Sequence, residues 1–291
     1  MKIQAFAAPT MVAWQLTRDC NLACLHCCTD SAPGRAMPNE LSRERALSLC
    51  LEIVEAGVPY AMIVGGEPTL APHFLDVCRS LSDGGVLLKI ETNGQDFDVS
   101  LLKGMGVRSV QISLDGATQE TYAKQRPGGT LAKALEACGR VRESGLPLEV
   151  TFAPTRLNIH EAEAVVALSA ELGAFRFNTG KLMRLGTAAK LWDRLEPSAQ
   201  QYAGLRALLE RREEELSGRI ELCYKPFSLD EEMAARRLEP SGTLLILPDG
   251  RVKTAAPLPS ICADLSHQNL LEAWDAYRRA WRDIIDSPVV V

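Results

Sequence analysis

Three cysteines near the N-terminus have a spacing that suits metal chemistry. The stretch RDCNLACLHCCT runs from Arg18 to Thr29, and within it Cys20, Cys24 and Cys27 follow a C-x3-C-x2-C pattern. Thiolates this close together bind metal or exchange disulfides. Structural zinc uses four ligands, usually as two pairs that are far apart in sequence, and no matching second pair follows this loop.

An iron–sulfur cluster explains why there are three cysteines and not four. A cubane cluster contains four irons, and each iron needs an outer ligand. Three local cysteines leave one iron without a protein thiolate, and such an open position can hold a substrate or cofactor, as in a catalytic zinc site. The motif therefore predicts a 4Fe-4S cluster with one small, exchangeable ligand.

The segments around this loop have the alternating pattern of an α/β fold. Short apolar or β-branched runs end in small polar loops, and helical patterns follow them. The six predicted strands cover residues 11–17, 60–66, 86–94, 109–116, 148–155 and 174–180. Nearly continuous apolar strands that alternate with helices indicate a parallel sheet covered by helices. Six units are too few for a closed eight-stranded barrel, so we expect a partial, TIM-like (β/α)6 barrel with ligands at the carboxyl ends of its strands.

The alternation of strand and helix breaks near residue 180, where an irregular connector (residues 180–198) begins. A helical pattern follows at residues 197–216. Asp249-Gly250 then marks the turn of a predicted hairpin, and an amphipathic helix closes the chain. We therefore expect a partial barrel at residues 1–215 and a small α+β extension at residues 216–291.

Composition excludes several classes of partner. The chain has 291 residues and a net charge of −5, whereas a nucleic-acid site needs a basic surface. It has neither a signal peptide nor a run of about 18 apolar residues, so we expect no membrane partner. Nine cysteines, an odd number with three of them within apolar helical patterns, do not resemble a secreted disulfide framework. The expected location is the cytoplasm.

Four cysteines outside the motif have structural explanations. Cys50, Cys78 and Cys138 lie on apolar faces of predicted helices, and we expect them in the core. Cys28 follows a predicted cluster ligand, but its side chain should point the other way, so we expect a buried residue without a role in the site.

Four further motifs follow the predicted strands in order. They are GGEPTL at residues 65–70, ETNG at 91–94, ISLDG at 112–116 and YAKQRPGGT at 122–130. Together with the cysteine motif they resemble the radical S-adenosylmethionine (SAM) superfamily over roughly residues 8–180. Each of these motifs, taken alone, also has a structural explanation, such as a strand-to-helix turn, a plain turn or a surface charge. Their occurrence at successive strand ends favours the resemblance.

The resemblance implies a cofactor set and a reaction. Cys20, Cys24 and Cys27 would hold the 4Fe-4S cluster, and SAM would chelate the open iron. Reductive cleavage of SAM would give a 5′-deoxyadenosyl radical that removes a hydrogen atom from the substrate. The electron would come from an external donor such as flavodoxin or ferredoxin. The residues that the resemblance assigns to SAM binding are His26, Gly65, Gly66, Glu67, Pro68, Asn93, Ser113, Asp115 and Arg126.

These residue types suit the assigned roles. Gly65 and Gly66 have no side chains, so they let the backbone pass close to a ligand. Ser113 and Asp115 alternate onto one face of their strand, where a hydroxyl and a carboxylate suit ribose hydroxyls. The Arg126 guanidinium suits the SAM carboxylate.

The last quarter of the chain resembles a SPASM or shorter twitch extension, in a degenerate form. Thr254, Ala255 and Ala256 stand where the family has a cysteine, and only Cys223 and Cys262 remain beyond residue 138. Two thiolates cannot complete a four-thiolate cluster, so we expect no auxiliary cluster; an incomplete cluster with other ligands is the alternative. Cys223, or alternatively Cys262, is a candidate hydrogen-atom donor, and a simple packed cysteine is the other interpretation.

The substrate is predicted only by class. A SPASM-like extension suggests a ribosomal peptide, and a small metabolite or cofactor precursor, including a tetrapyrrole, is the alternative. The first predicted strand begins near residue 11, so we expect no fused N-terminal leader-binding domain. A metal-binding scaffold without catalytic activity is the alternative outside the enzymes.

Overall fold

A ten-stranded sheet forms the centre of the protein, in a computed structural model that describes residues 6–224, 226–238 and 241–286. Its strand order is β10-β9-β8-β1-β2-β3-β4-β5-β6-β7. The strands are β1 Met11–Gln15, β2 Tyr60–Val64, β3 Leu87–Thr92, β4 Val107–Ser113, β5 Leu148–Phe152, β6 Arg176–Thr179, β7 Glu221–Cys223, β8 Thr243–Ile246, β9 Arg251–Lys253 and β10 Ile261–Asp264.

Helices follow most of the strands. They are α1 Arg43–Glu55, α2 Phe74–Asp83, α3 Gln119–Gln125, α4 Leu131–Glu143, α5 Ala162–Glu171, α6 Gly186–Lys190, α7 Trp192–Leu195, α8 Ala199–Glu215, α9 Leu229–Leu238 and α10 Leu270–Asp286. Helix α8 begins two residues later than the sequence pattern indicated. Ser198 is its N-cap, and Ser198 and Gln201 form a reciprocal capping box that fixes the start. Among the described residues, no helix is long and apolar enough to cross a bilayer.

The predicted partial barrel is confirmed. Strands β1 to β6 pair in parallel and in sequence order, and the sheet does not close. Two strands that the sequence analysis did not place in the barrel extend it: β7 pairs in parallel with β6, and β8 pairs in parallel with β1. The hairpin predicted at Asp249-Gly250 is confirmed as the antiparallel pair β8–β9. The boundary between residues 215 and 216 stays a prediction.

The main core lies between the sheet and the helices. Cys50, Cys78 and Cys138 are fully buried in it, as predicted, and the closing helix α10 contributes Trp274 and Trp281. Side chains alternate along each strand, so residues next to those in the core point to the other side of the sheet. We call this side, which faces away from the helix-covered core, the inner face. On β3 to β7 the inner face carries Lys89, Glu91, Ser109, Gln111, Ser113, Glu149, Thr151, Arg176, Asn178, Glu221 and Cys223.

Candidate cofactor site

The three cysteines of the motif lie in the loop that follows β1, at the carboxyl ends of the parallel strands. Cys20 and Cys24 are buried around Leu22, and Cys27 packs against them. All three thiols are free. Burial raises the pKa of Cys20 and raises that of Cys24 to about 12, so metal binding there must displace a proton from each thiol.

Each of the three sulfur atoms accepts a hydrogen bond from an N–H group. The Leu22 amide donates to Cys20 Sγ at 3.4 Å, and the Ser31 amide donates to Cys27 Sγ at 3.3 Å. Arg126 Nη1 donates to Cys24 Sγ at 3.5 Å. Such donors stabilise sulfur ligands and tune an iron–sulfur cluster, so this donor set fits the predicted group.

The same cysteines do not converge on one point. Within the described residues, no group of three or more His, Cys, Asp or Glu side chains is arranged to hold a single metal ion. A cubane binds each thiolate to a different iron and does not need such convergence. The geometry is therefore compatible with a cluster.

Gly65 and Gly66 bring the end of β2 against the chain that enters the cysteine loop. The Gly66 amide donates to Thr17 O at 2.7 Å, and the Glu67 amide donates to Asp19 O at 2.9 Å. A Cβ on residue 66 would overlap the Asp19 carbonyl. The expectation was close approach to a ligand; the close approach present in the structure is to residues 17–19 of the chain itself.

Glu67 joins the ends of β2 and β3. Its buried carboxylate accepts hydrogen bonds from Thr92 Oγ1 at 2.8 Å and from the Asn93 amide at 2.9 Å, while burial raises its pKa. Asn93 Nδ2 in turn donates to Asn21 Oδ1 at 2.7 Å and to Cys20 Sγ at 3.7 Å. Glu67 thus fixes Asn93 against the cysteine loop. Pro68 is buried and begins a short 3-10 turn directly after Glu67.

Asp115, Arg126 and His26 form a buried charged group beside Cys24. Arg126 Nε donates to Asp115 Oδ2 at 2.6 Å, and His26 Nε2 lies 3.1 Å from the same oxygen. The Ala153 amide donates to Asp115 Oδ1 at 2.7 Å. Burial alone would raise the pKa of Asp115, but Arg126 and His26 hold it well below its usual range. Both carboxylate oxygens therefore have protein partners, and direct contact between Asp115 and SAM stays a prediction.

Gln125 supports His26 and was not singled out in the sequence. It is fully buried, with its Nε2 2.8 Å from His26 Nδ1 and its Oε1 accepting a hydrogen bond from Thr155 Oγ1 at 2.9 Å. Its position directly before Arg126, in the motif YAKQRPGGT, was the available signal. Ser113 was predicted, and it lies half-buried on the inner face, paired in register with Thr151.

The family is decided by comparison of the sequence with protein-family models. The model of the radical SAM superfamily matches residues 14–168, which is more than half of the chain and contains the cysteine loop and the motifs described above. The chain belongs to the radical SAM superfamily. Members of this superfamily use a 4Fe-4S cluster and SAM.

Three relatives show how far the similarity extends. The mycofactocin maturase MftC of Mycobacterium ulcerans is 30% identical over 247 residues, covering 83% of this chain and 66% of the relative. The AdoMet-dependent heme synthase of Methanosarcina barkeri is 30% identical over 186 residues, covering 62% and 52%. The solved structure of Streptococcus suis SuiB bound to S-adenosylmethionine has a TM-score of 0.75 and 15% identity, covering 92% of this chain and 66% of that one, and it therefore shares the fold. The chain spans about half to two thirds of the length of these curated relatives.

Cys28 of this radical SAM chain is exposed, so the prediction of a buried residue was wrong. The reason is local, because Cys28 lies in a turn and strand alternation does not apply there. The surrounding protein still raises the pKa of its thiol to about 11, and its charged neighbours include Lys253 and Glu91. Cys28 is thus an exposed residue of the cysteine loop whose thiol is partly desolvated by the surrounding protein.

The connector (residues 180–198) holds the cysteine loop in place. The amides of Thr187 and Ala188 donate to Cys27 O at 2.9 and 3.3 Å. Asp30, which has a positive φ of 57°, accepts from Thr187 Oγ1 at 3.0 Å and from Lys190 Nζ at 2.6 Å. Residues 180–198 were predicted only as an irregular segment. They form α6 and α7, and α6 donates hydrogen bonds to the carbonyl of Cys27, a predicted cluster ligand.

Replacing Gly186 with alanine is expected to weaken the hydrogen bonds between the connector and the cysteine loop. A Cβ there would come within 2.6 Å of Cys27 O and 2.7 Å of Asp30 N, and φ is +54°. The strain should cost about 1–3 kcal/mol and be relieved by separation of the connector from the loop. We expect the reconstituted variant to lose iron to an Fe²⁺ chelator faster than wild type. Gly180→Ala, where a Cβ meets nothing within 4 Å, is the matched control; equal rates of iron loss in the two variants would contradict the role of Gly186.

Cys223 lies on the inner face of β7. Leu222 packs into the core, so Cys223 points the other way, and the sheet register pairs it with Asn178 of β6. Burial raises the pKa of its thiol. The structure thus places Cys223 on the same face as Ser113 and Glu91, at the edge of the partial barrel.

Proposed function

We propose that this chain is a radical SAM enzyme in which Cys20, Cys24 and Cys27 bind three irons of a 4Fe-4S cluster and SAM chelates the fourth. The observation that carries the proposal is the loop itself, in which three free thiols at the strand ends each accept an N–H hydrogen bond. When bound, the reduced cluster and SAM supply a 5′-deoxyadenosyl radical that removes a hydrogen atom from a substrate carbon.

The protein's own part is to position the cofactor and exclude water. Arg126 is held between Asp115 and Cys24, so its guanidinium stands at the cysteine loop, where it would bind an anionic group of SAM. Asn93 is fixed against the same loop, and Ser113 offers a hydroxyl on the inner face. Gly65, Gly66, Glu67 and Pro68 shape the adjoining strand end, and His26 is held by Asp115 and Gln125. We propose these residues as the SAM site.

We propose a peptide as the substrate. MftC is named a maturase, and SuiB has also been solved with its precursor peptide SuiA, a structure that this chain matches with a TM-score of 0.76. A second candidate, a tetrapyrrole, is favoured by the similarity to the heme synthase. The electron would come from an external donor such as flavodoxin or ferredoxin.

We propose further that residues 216–291 are a degenerate SPASM or twitch extension without an auxiliary cluster. Cys223 lies on β7 and Cys262 on β10, which are the strands at the two opposite ends of the sheet order. Cys262 Sγ is 3.4 Å from Val252 O within the hairpin. The place of the family's cysteine is taken by Thr254, which is buried. This placement of the two thiols on strands far apart in the sheet order supports the proposal.

Anaerobic incubation with SAM and dithionite tests the reaction class. We expect a brown protein with broad absorption near 400 nm (roughly, as thiolate-ligated cubanes show) that forms 5′-deoxyadenosine and methionine. A colourless protein that binds zinc and forms no 5′-deoxyadenosine would contradict the proposal and support a metal-binding scaffold.

Cys223 is proposed as a hydrogen-atom donor to the substrate radical. Its S–H bond would break, a C–H bond would form on the substrate, and an external reductant would have to return an electron and a proton to the sulfur. We expect Cys223→Ala to keep forming 5′-deoxyadenosine while the saturated product, followed by mass spectrometry in deuterated water, is lost. Normal deuterium incorporation at normal turnover in Cys223→Ala would rule out this role.

A further inference from the structure

The inner face of the sheet is polar where folding alone would favour apolar residues. In a closed TIM barrel the interior is packed with branched apolar side chains. Here the inner face of β3 to β6 carries Lys89, Glu91, Gln111, Glu149, Arg176 and Asn178. Departures from local folding rules of this kind concentrate at functional sites.

Most of these groups satisfy one another. Lys89 Nζ donates to Gln111 Oε1 and to Glu149 Oε2, each at 2.9 Å. Asn178 Nδ2 donates to the same two oxygens, again at 2.9 Å, and Ser109 Oγ donates to Glu149 Oε1 at 2.6 Å. Burial would raise the pKa of Glu149, but these bonds hold it below its usual range. The result is a hydrogen-bonded network of Lys89, Ser109, Gln111, Glu149 and Asn178 that is stable without a ligand.

Gln15 on β1 is not satisfied in this way. It is only 4% exposed, and Nε2 has no hydrogen-bond partner among the residues that the structure describes. Val12 and Trp14 belong to the core under the helices, so Gln15 lies on the inner face. A buried N–H without an acceptor is costly, and a bound ligand that offers an acceptor removes that cost.

Glu91 on β3 stands on the other side of β2 from Gln15. The register pairs Gln15 with Val64, and Ile63 with Ile90, so Glu91 lies at the level of Gln15 with only the β2 strand between them. The Glu91 carboxylate is 29% exposed, and burial raises its pKa. Gln111 contacts it from β4, and Lys89 Nζ, 3.5 Å away, is already bonded to Gln111 and Glu149, so the exposed part of the carboxylate is open to a ligand. Glu91 therefore has capacity to accept hydrogen bonds from a ligand.

We propose that Gln15 and Glu91 form a substrate subsite for one aminoacyl unit of a peptide. The Gln15 N–H would donate to a carbonyl oxygen, and the Glu91 carboxylate would accept from a neighbouring amide or amino N–H. Gln15 and Glu91 lie on either side of β2, the strand that leads into Gly65 and Gly66. A unit bound between them would therefore lie on the inner face, next to the cysteine loop. The inference rests on the proposed function and names the chemistry by which that site recognises its substrate. A carboxylate-bearing ligand would satisfy Gln15 but would set a second negative charge beside Glu91.

The test uses reconstituted holoenzyme with SAM and a capped residue, N-acetylalanine methylamide, as the probe. Binding is measured by saturation-transfer NMR on wild type, Gln15→Leu and Glu91→Gln, with Met62→Leu on the inner face of β2 as the matched control. We expect the probe to bind wild type and Met62→Leu equally and to bind each of the other two variants about tenfold more weakly, because a buried hydrogen bond is lost. Circular dichroism and cluster absorption show whether each variant has folded, and Gln15→Glu replaces Gln15→Leu if that variant does not fold.

Three results would overturn the subsite. They are the absence of a saturation-transfer signal from the probe with wild type, equal binding of the probe to Gln15→Leu and to wild type, and tighter binding of propionate than of the capped residue to wild type. The last of these would favour a carboxylate-rich substrate such as a tetrapyrrole. Formation of 5′-deoxyadenosine by the same wild-type sample is measured in parallel. Its absence would refute the proposed reaction whatever the probe does, and its presence together with failed probe binding would refute the subsite alone.

Discussion

Cys24→Ala abolishes 5′-deoxyadenosine formation and the cluster absorption if this loop holds a 4Fe-4S cluster. Cys24 is buried, and it is the predicted ligand whose sulfur accepts a hydrogen bond from Arg126. Two remaining local thiolates cannot hold a cubane that already lacks a fourth protein ligand. We expect iron to fall from about four per chain to a trace in the variant, measured after anaerobic reconstitution.

The neighbouring Cys28 provides the matched control. It stands beside Cys27, a predicted ligand, but it is exposed and has no role in the proposed cluster. Cys28→Ala should therefore retain iron, sulfide and absorption at the level of wild type. Loss of the cluster in Cys28→Ala, or its retention in Cys24→Ala, would mean that the ligand set is assigned wrongly.

The second large effect is expected at Asp115. Its carboxylate is 0% exposed and is shared by Arg126 and His26. Asp115→Asn preserves the shape of the side chain but leaves the Arg126 guanidinium buried without its counter-ion. Breaking a buried ion pair by removal of one partner costs about 3–5 kcal/mol, so we expect the free energy of unfolding in urea to fall by that amount. Arg126 should also lose its fixed position at Cys24, so SAM affinity should fall.

An exposed ion pair serves as the control for this measurement. The Asp96 carboxylate is 68% exposed, lies 2.9 Å from Lys133 Nζ and also accepts an exposed hydrogen bond from Asn21 Nδ2 at 3.1 Å. Asp96→Asn should cost less than about 1 kcal/mol, because water screens such a pair. If Asp115→Asn were no more destabilising than Asp96→Asn, the buried group would not have the structural importance that its geometry indicates.

The parts of the fold that follow from periodicity were predictable. Strands β1 to β6 are visible in the sequence as apolar runs. The motifs at their ends were expected to lie together, because parallel strands end at one edge of a sheet. The three-residue β7 and the four-residue β8 were not predicted as barrel strands. Strands this short are stabilised by pairing with an existing sheet edge, which the local sequence does not reveal.

The contacts that hold the candidate site together were harder to predict. Asp30 and Lys190 are 160 residues apart in sequence, and neither lies in a periodic pattern that would link them. The glycine at residue 186 has meaning only because Cys27 O lies against it in the folded chain. Gln15 looked like one polar residue in an apolar strand. That its Nε2 has no partner among the described residues becomes visible only when the neighbouring strands are in place.

The direct test of the central claim is whether SAM occupies the fourth iron. Holoenzyme is reduced anaerobically with SAM that carries isotopic labels in its amino nitrogen and carboxylate oxygens, and electron–nuclear double resonance is recorded on the cluster signal. We predict hyperfine coupling from both labelled groups in wild type. A cluster signal without coupling from either label, with the fourth iron ligated by a protein side chain instead, would contradict the account.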